Sequence, residues 1–382
     1  MKYYIIAGEA SGDLHGSNLI IELKKLDAHA VIRCWGGDKM QAAGGEVVKH
    51  IRDLAFMGFT EVVKNLRTIF RNLKFCKQDI LAFKPDALIL IDYPGFNLRM
   101  AKWAKQNGFK VIYYISPQVW AWKENRVKEM KKNIDKMIVI IPFEKDYFKN
   151  KWNWEVEYAG HPLVQVIERY KAQGTRYKQE ASEKSQDGKF DIHEKPVVAL
   201  LPGSRKQEIT KKLPVMLQVS DSFPDYQFVV AEAPSVGEEF YKIFTSRHPK
   251  VSLVRNQTYD LLMQSNAALV TSGTATLETA LFGVPQVVCY KGSPISYQIA
   301  KRVIKVKYIA MVNLIMNKQV VKELIQKELT IENLEKELRD ILTNEQRIAE
   351  IKEDYAELKR ILSEGGNASA NAARSIISFL GP

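Results

Sequence analysis

The first half of the chain alternates short apolar runs with longer segments in which apolar positions recur every three or four residues. Runs of about four to eight apolar residues predict buried strands, and the wider spacing predicts amphipathic helices. The predicted strands are YYIIAG (3–8), VIRCWGG (31–37), ALILID (87–92), KVIYYIS (110–116) and KMIVIIPF (136–143). Helices are predicted between them at 14–26, 60–83 and 97–107. This alternation predicts a parallel, doubly wound α/β sheet.

A polar stretch at 171–195 has no helical apolar stripe and separates this half from a second series of strands. We interpret the stretch as a linker or surface insertion. The later predicted strands are VVALLPGSR (197–205), QFVVAEA (227–233), KVSLVRN (250–256), AALVTSG (267–273) and PQVVCY (285–290). The sequence thus predicts two similar α/β domains, which such folds place on either side of a ligand cleft.

The pattern sets the expected domain limits. The first domain covers 1–170, the linker or insertion 171–195 and the second domain 196–350. The remaining segment, 351–382, is helical and is interrupted by GGNASANAA at 365–373. This break would permit the segment to cross back to the first domain or to swap into a partner, which leaves a homodimer open.

Length, charge and cysteine content narrow the class of protein. A chain of 382 residues with 46% hydrophobic residues supports two cores. Its apolar runs are much shorter than the ~20 residues that a transmembrane helix needs, and its N-terminus begins as a strand rather than a signal peptide. Three cysteines without paired spacing indicate a reducing compartment. We therefore expect a cytoplasmic protein.

The net charge of +12 suits nucleic acid, anionic lipid or phosphorylated small molecules. The sequence has no recognition helix, zinc finger or RNA-binding aromatic motif, so we do not expect nucleic acid as a partner. It also lacks a Walker loop and a Gly-x-Gly-x-x-Gly after the first strand, which disfavours phosphoryl-transfer NTPases and nicotinamide dehydrogenases. The six histidines show no metal-ligand spacing, and we expect neither a metal nor another cofactor.

Two loops of the second half have the chemistry of a nucleotide-diphosphate site. After the strand at 197–201, Pro202 and Gly203 allow a sharp turn, and Ser204 and Arg205 follow at the start of a helix. An arginine fork is suited to a diphosphate. After the strand at 267–271 comes the helix start TSGTATLE.

In that second loop, Gly273 permits close backbone approach, and a helix N-terminus carrying Ser272, Thr274 and Thr276 favours an anion. Glu278, one turn further on, is placed to bind sugar hydroxyls. The alternative is ordinary N-capping by serine and threonine, with a solvated glutamate.

The strand ends of the first half present titratable groups and aromatic rings. GEASGDLHG follows the first strand and contains Glu9, Asp13 and His15. Asp92 lies at the carboxyl edge of the predicted strand 87–92, beside a Pro-Gly turn. The loop after 110–116 carries Trp120, Trp122, Lys123 and Arg126. The alternatives are a turn-forming role for Asp92, core packing for the tryptophans and a structural role for His15.

Taken together, the motifs resemble the lipid A disaccharide synthase family of inverting glycosyltransferases in Gram-negative bacteria. They are GEASGDLHG, GFTE (58–61), IDYPGFNL, YYISPQVWAWK, PFE (142–144), YAGHPL (158–163), LLPGSRKQEI and SGTATLETAL, in one order over about residues 3 to 330. The resemblance implies a GT-B-like fold of two Rossmann-type domains. It also implies transfer of 2,3-diacylglucosamine from UDP to 2,3-diacylglucosamine 1-phosphate (lipid X), giving a β(1→6) disaccharide 1-phosphate and UDP.

The resemblance also implies roles for particular residues. The catalytic base falls on Asp92, with His15 nearby, and Asn313 in MVNLI joins Ser204, Arg205 and the Ser272–Glu278 loop around the UDP-sugar. The same motifs supply the predicted acceptor-side residues, which are Glu9, Ser11, Asp13, Glu61, Asn97, Gln118, Trp120 and Lys123.

The segment 312–326 departs from the family pattern. Glu323 and Gln326 match a Glu-x-x-Gln motif, but Gln319 stands where an acidic residue is expected and Val312 where a proline is common. The 171–195 insertion is also longer than in the family. Open alternatives are another UDP-sugar transferase or epimerase with the same fold, and a non-catalytic two-domain binder.

The predicted helix at 60–83 is a candidate membrane contact. It pairs an apolar stripe with a basic stripe, a combination typical of helices at anionic interfaces. The apolar positions are Val62, Leu66, Ile69, Phe70, Leu73 and Ile80, and the basic ones are Lys64, Arg67, Arg71 and Lys74. The alternative is a helix packed on its own sheet with a solvated basic face. Because both expected substrates carry acyl chains, we expect peripheral association with the inner face of the inner membrane.

Overall fold

The computed structural model describes residues 1–54, 66–180, 195–234, 236–293, 297 and 306–381. The chain forms two compact units. The first contains Met1–Pro162 and Leu362–Pro382, and the second contains Leu163–Ile361. Each is built around one parallel sheet, as the alternating pattern predicts.

The first unit contains a seven-stranded sheet in the order β3-β2-β1-β4-β5-β6-β7. Its strands are β1 (Lys2–Ala7), β2 (Val31–Gly36), β3 (Glu46–His50), β4 (Ala87–Ile91), β5 (Val111–Tyr114), β6 (Lys136–Val139) and β7 (Glu157–Tyr158). Its helices are α1 (Ala10–Leu26), α2 (Asp38–Ala42), α3 (Leu66–Phe83), α4 (Pro94–Gln106), α5 (Arg126–Asn133) and α6 (Pro142–Trp152). All strand pairs are parallel, so the carboxyl ends of all seven strands lie along one edge.

The core of the first unit lies between the sheet and its helices. The central strands β1, β4 and β5 are apolar and buried along their whole length, apart from the exposed Lys2 at the start of β1, as expected for a sheet covered on both faces. From α3, the side chains of Leu73, Cys76 and Ile80 are buried against this core. Leu73 and Ile80, two apolar positions of the predicted membrane stripe, therefore stabilise the fold.

The second unit contains a six-stranded parallel sheet in the order β10-β9-β8-β11-β12-β13. Its strands are β8 (Val197–Leu201), β9 (Gln227–Glu232), β10 (Ser252–Arg255), β11 (Ser265–Thr271), β12 (Gln286–Tyr290) and β13 (Lys322–Ile325). Its helices are α7 (Pro162–Glu180), α8 (Lys206–Val219), α9 (Glu238–Thr245), α10 (Thr258–Gln264), α11 (Thr274–Phe282), α12 (Met311–Met316), α13 (Ile331–Thr343) and α14 (Glu345–Ser363).

The boundary between the units lies earlier than the predicted 170, and residues 171–180 of the expected linker are helical. The reason is that α7 packs on the second unit near its middle. There the Tyr170 hydroxyl donates to Asp260 at 2.8 Å and the Lys171 ammonium donates to the Leu281 carbonyl at 2.8 Å. Residues 181–194 lie outside the described part of the chain.

The last helix, α15 (Ala368–Leu380), belongs to the first unit and packs on α1. The Asn371 amide donates to the Ala159 carbonyl at 2.9 Å, and the Ser375 hydroxyl donates to Glu157 at 2.7 Å. In this structure the C-terminal segment returns to the first unit of its own chain. The return begins at Leu362.

Among the described residues, none of the helices is both long enough and apolar enough to cross a bilayer.

Candidate functional site

Both sheets have a topological switch point, the place where strand order reverses and ligands of open α/β sheets bind. In the first unit it lies between β1 and β4, and in the second between β8 and β11. Glu9 and Asp92 directly follow β1 and β4. The loops containing Arg205 and Ser272 follow β8 and β11. The residues predicted at the strand ends therefore flank the two crevices in which this topology binds ligands.

The backbone of Asp92 is held in an unusual conformation. Asp92 and Tyr93 both have left-handed backbone angles, with φ of 43° and 47°, which cost free energy in non-glycine residues. The Asp92 carbonyl accepts the Tyr113 hydroxyl at 2.5 Å and the Asn97 amide at 2.9 Å. These two bonds hold the turn that directs the aspartate side chain away from its strand.

Gly8 is needed for the same turn. The Tyr93 ring lies so close to Gly8 that a Cβ there would come within 2.3 Å of its Cγ. Only a residue without a side chain allows the loop after β1 and the turn after β4 to pack in this way. The glycine of GEASGD thus helps to bring Glu9 and Asp92 together.

The Asp92 carboxyl group is a weak acid in this setting. Burial, followed by the charge of Glu9, raises its pKa to about 7, while the Tyr93 backbone N–H bond opposes the shift. A carboxylate with a pKa near neutral is suited to general-base catalysis. Asp92 therefore both forms the turn and carries a carboxyl group that titrates near neutral pH.

The loop after β5 is anchored by a carboxyl group in the first turn of α6. The Trp120 indole N–H donates to Glu144 at 3.0 Å, and its ring packs edge-on against Phe143. Burial raises the pKa of Glu144 to about 8. Trp120 is buried, as the core-packing alternative predicts. Trp122 is 46% exposed, and the Lys123 ammonium lies 4.1 Å from its ring centroid.

His15 is buried next to a second buried histidine, His161 of the YAGHPL motif. Burial lowers the pKa of His15 to about 4, and burial together with the charge of His15 lowers that of His161 to about 3. Both rings are therefore neutral at pH 7. The Nδ1 atom of His15 has no hydrogen-bond partner among the described residues, and His15 makes no hydrogen bond to Asp92 there.

Two residues predicted on the acceptor side stabilise the backbone. The Asp13 carboxylate accepts the backbone N–H groups of Gly37, Lys39 and Met40 at 2.7, 3.2 and 3.0 Å, which fixes the start of α2. Asn97 is fully buried and donates to the ends of β1 and β4. Asp13 thus stabilises the fold, and its acceptor-side role stays a prediction. Ser11 and Gln118 are exposed, and Glu61 lies outside the described residues.

In the second unit, the turn after β8 requires glycine. Gly203 has a φ of 119°, and a Cβ there would lie 2.5 Å from a Glu208 oxygen. Ser204 and Arg205 follow and are exposed at the start of α8. Among the described residues, the Arg205 guanidinium has one long ion pair, with Glu208 at 3.4 Å, so it can turn toward an anion at little cost.

The loop after β11 leads directly into the N-terminus of α11. Gly273 has a φ of 149° and open space around its missing side chain. Ser272 donates to the Ile309 carbonyl at 3.0 Å, and the buried Thr276 hydroxyl donates to the Gly273 carbonyl at 2.8 Å. Thr274 is exposed. Ser272 and Thr276 thus shape the loop with their side chains, while the first N–H groups of α11 point away from the helix, where an anion can accept them.

Glu278 is held by a residue that the sequence analysis did not identify. The Tyr259 hydroxyl on α10 donates to Glu278 at 2.7 Å, and the Tyr259 ring packs against Tyr170 and Phe282. Burial raises the pKa of Glu278. The solvated-glutamate alternative is therefore not what the structure contains.

Asn313 is held by hydrogen bonds within its own unit. Its amide donates to the Val321 carbonyl and to Glu323, and its oxygen accepts the Val321 N–H, each at 2.9 Å. Glu323 also accepts the backbone N–H groups of Ile309 and Ala310. The predicted contact of Asn313 with the nucleotide stays a prediction, and both side-chain polar atoms already have partners in the fold. By contrast, Gln326 has a buried Nε2 without a partner among the described residues.

Comparison with known proteins agrees with this geometry. Residues 3–378 match the family model described as lipid-A-disaccharide synthetase. A protein named lipid-A-disaccharide synthase from Syntrophus aciditrophicus is 39% identical over 97% of this chain and 96% of its own length. Another of that name from Geobacter metallireducens is 37% identical over 100% of this chain and 97% of its own length.

Solved structures share the fold at low sequence identity. A UDP-GlcNAc 2-epimerase from Neisseria meningitidis bound to UDP-GlcNAc superposes with a TM-score of 0.63 at 15% identity, over 100% of this chain and 99% of that one. A glycotransferase of kitacinnamycin gives a TM-score of 0.65 at 14% identity, with coverage of 100% and 99%. The fold is thus GT-B-like, as the sequence predicted. From the match over nearly its whole length, the chain belongs to the lipid-A-disaccharide synthetase family of glycosyltransferases.

Proposed function

We propose that this enzyme transfers 2,3-diacylglucosamine from UDP to the 6-hydroxyl of 2,3-diacylglucosamine 1-phosphate, with Asp92 as the base. The observation that carries this proposal is the Asp92 carboxyl group at a switch point, with a pKa raised to about 7 and a backbone locked by Tyr113 and Asn97. At pH 7 and above such a group is ionised in a large fraction of molecules and still basic enough to accept a proton.

The transfer needs a base that takes the hydroxyl proton and a leaving group that takes the electron pair of the broken bond. Asp92 removes the proton of the acceptor 6-hydroxyl. At the same time the oxygen of that hydroxyl bonds to the anomeric carbon of the donor sugar, from the face opposite UDP. The bond from that carbon to the diphosphate breaks, and its electron pair stays on the diphosphate oxygen. Attack from the opposite face inverts the anomeric configuration, and protonated Asp92 releases its proton to water after UDP leaves.

The second unit is proposed to hold the donor. Arg205 and the N–H groups at the start of α11 face the diphosphate, where negative charge grows as the bond breaks. Glu278, held by Tyr259, accepts hydrogen bonds from hydroxyl groups of the donor. Gln326, whose Nε2 is unpaired among the described residues, is proposed as a further donor to this ligand.

The first unit is proposed to hold the acceptor through Glu9, Ser11, Gln118 and the loop containing Trp120 and Lys123. His15 is neutral and makes no described hydrogen bond to Asp92. We therefore assign it a hydrogen bond to the acceptor through Nδ1, in place of a proton relay with Asp92.

The test of the reaction is UDP release from UDP-2,3-diacylglucosamine in detergent, measured with and without lipid X. We expect release only with lipid X, together with a disaccharide 1-phosphate detected by mass spectrometry. Release or epimerisation without lipid X would indicate a UDP-sugar epimerase or hydrolase. Tight UDP binding with no turnover on either substrate would indicate a binding protein and contradict the proposal.

Peripheral membrane association is proposed for α3. Phe70 is 62% exposed and Phe75 is 42% exposed, beside exposed Arg67, Arg71 and Lys74. Exposed aromatic rings next to cations are suited to an anionic interface. Lys64, the remaining basic position of the predicted stripe, lies outside the described residues.

Substitution of the α3 basic residues is expected to weaken binding to vesicles that contain anionic lipid. Each basic residue near such a surface contributes about 1 kcal/mol, or about fivefold in partitioning, so R67A/R71A/K74A is expected to lower the partition coefficient about 10²-fold at low salt. Flotation of the protein with vesicles measures this. The control is K352A, an exposed lysine of α14, which should bind like the wild type. Equal binding of the triple variant and the wild type would exclude α3 as the contact.

A further inference from the structure

Glu144 is a fully buried carboxyl group without a cation. Its oxygens accept the Trp120 indole N–H at 3.0 Å and the Ile141 backbone N–H at 3.3 Å. Among the described residues no lysine or arginine forms an ion pair with it. Burying a carboxyl group in this way is costly unless its oxygens are well used. The cost indicates that the group does something a solvent-exposed residue cannot do.

Helix capping alone does not explain this burial. Glu144 is the third residue of α6, and its bond to the Ile141 N–H is an ordinary N-terminal capping contact. Such contacts work equally well at the surface of a protein. The second bond, to Trp120, joins α6 to the loop that follows the neighbouring strand β5. The bond to Trp120 requires the Glu144 carboxyl group to lie inside the protein, because the Trp120 side chain is itself buried.

The position of the pair connects it to the reacting carboxylate. Strands β4, β5 and β6 are neighbours in the sheet, and Asp92, Trp120 and Glu144 follow them in that order. The Asp92 charge is one of the groups that raise the pKa of Glu144, so the two carboxyl groups are close enough to interact. The loop carrying Trp120 lies between them in strand order.

The backbone of that loop also requires an external tether. Ile115 and Lys123, at its two ends, have left-handed φ values of 68° and 58°. Such conformations are costly for these residues, above all for the β-branched isoleucine, and persist only when other contacts impose them. The Trp120 indole is held inside the protein by Glu144 and Phe143. It is thus an anchor near the middle of a strained loop.

We propose that Glu144 is a positioning residue for sugar transfer: by binding the Trp120 indole, it holds the loop 115–123 in place beside Asp92. This inference rests on the proposed function, because the loop matters only if Asp92 is the base and the acceptor binds next to it. Glu144 touches no substrate in this scheme. Its effect reaches the reaction through the position of the loop.

The test is a double-mutant cycle on kcat with E144L, which removes both acceptor oxygens, with W120F and with the double variant, using acceptor-dependent UDP release. Misplacement of a reacting group by about 1 Å can cost about 10²-fold, so each single variant is expected to lose about 10- to 100-fold in kcat. The double variant should be no slower than the slower single variant, because both changes break one bond. The KM for the UDP donor should stay unchanged, since the proposed donor site lies in the second unit.

Two further variants separate positioning from simple stabilisation. W120F leaves the capping bond from Ile141 to Glu144 intact, so a loss of kcat in W120F cannot come from the cap. W152F removes a different indole hydrogen bond of α6, from Trp152 to the Tyr147 hydroxyl at 3.2 Å, and should keep the wild-type kcat. Thermal melting of each variant shows whether the protein is folded at the assay temperature.

Indole N–H signals from the six tryptophans report the bond itself in ¹H–¹⁵N spectra. The signal missing in W120F should be slow to exchange in the wild type and should shift in E144L. Wild-type kcat in folded E144L, or losses in the two single variants that multiply in the double variant, would overturn the proposal. A wild type without acceptor-dependent turnover would instead refute the proposed function. An unshifted Trp120 signal in E144L would then still reject the bond between Glu144 and Trp120.

Discussion

Replacement of Asp92 with asparagine is expected to lower kcat by about 10²- to 10⁴-fold, the usual contribution of a general base. Asparagine has nearly the shape of aspartate but cannot accept the proton of the 6-hydroxyl. The turn should survive, because Tyr113 and Asn97 bind the backbone carbonyl of residue 92 and not its side chain. UDP release with lipid X measures the loss, and the KM for the UDP donor should change little.

The D92N substitution is expected to raise the stability of the fold at pH 8, although it lowers activity. The pKa of Asp92 is raised from its ordinary value of 3.8 to about 7 in the folded protein. A group with a raised pKa favours folding below its unfolded pKa, and this contribution is lost as pH rises through about 7. At pH 8 the wild type therefore carries an unfavourable buried charge that D92N lacks. We expect a higher Tm for D92N at pH 8 and a smaller difference at pH 4. A lower Tm at pH 8 would mean that the variant lost activity by damage to the fold.

The pH profile supplies the control for this assignment. With Asp92 as the base, kcat/KM of the wild type should fall about tenfold per pH unit below about 7. Glu9 raises the pKa of Asp92 through its charge. E9Q should therefore shift the acid limb to lower pH without abolishing it. If the acid limb were unchanged in E9Q and still present in D92N, the limb would belong to a titrating group other than Asp92.

The sequence predicted the fold and the strand ends because both follow from the alternation of apolar and polar positions. Parallel strands buried on both faces are continuous apolar runs, and the polar residues after them fall at one edge of the sheet. Glu9, Asp92, Arg205 and Glu278 were found in this way. The domain limit was misplaced because α7 continues beyond the boundary into the polar stretch, and its tertiary contacts at Tyr170 and Lys171 cannot be read from periodicity.

Individual side chains within a motif were harder to assign. Asp13 and Asn313 are polar residues next to strand ends, but each satisfies backbone N–H or carbonyl groups of its own unit. Spacing cannot show which way such a side chain points, since a loop residue can face either the ligand or the fold. For the same reason Glu144 and Tyr259 were not identified as site residues, although the PFE motif was visible. Each acts through a partner that is distant in sequence.

Replacement of Arg205 with alanine is expected to lower kcat with the UDP donor by about 10²- to 10³-fold, the range measured when one donor to a developing negative charge is removed elsewhere. The diphosphate gains charge as the bond to the sugar breaks, so the guanidinium binds the transition state more tightly than the bound donor. The loss should therefore fall more on kcat than on KM. The fold should be unaffected, because Arg205 is exposed and its one ion pair in the described part of the chain is the 3.4 Å pair with Glu208.

Two variants show whether the planar fork or merely the positive charge is needed. R205K keeps the charge but not the paired N–H geometry that matches a diphosphate, so we expect only partial recovery of kcat over R205A. K206A removes the adjacent charge, on a lysine whose ammonium lies 5.3 Å from the Phe240 ring centroid, and should keep kcat within a few-fold of the wild type. An equal loss in K206A and R205A, abolished by salt, would mean long-range attraction of the donor. Long-range attraction acts on the association step, so its loss would lower kcat/KM. Loss of a group that stabilises the leaving diphosphate must instead lower kcat at saturating donor.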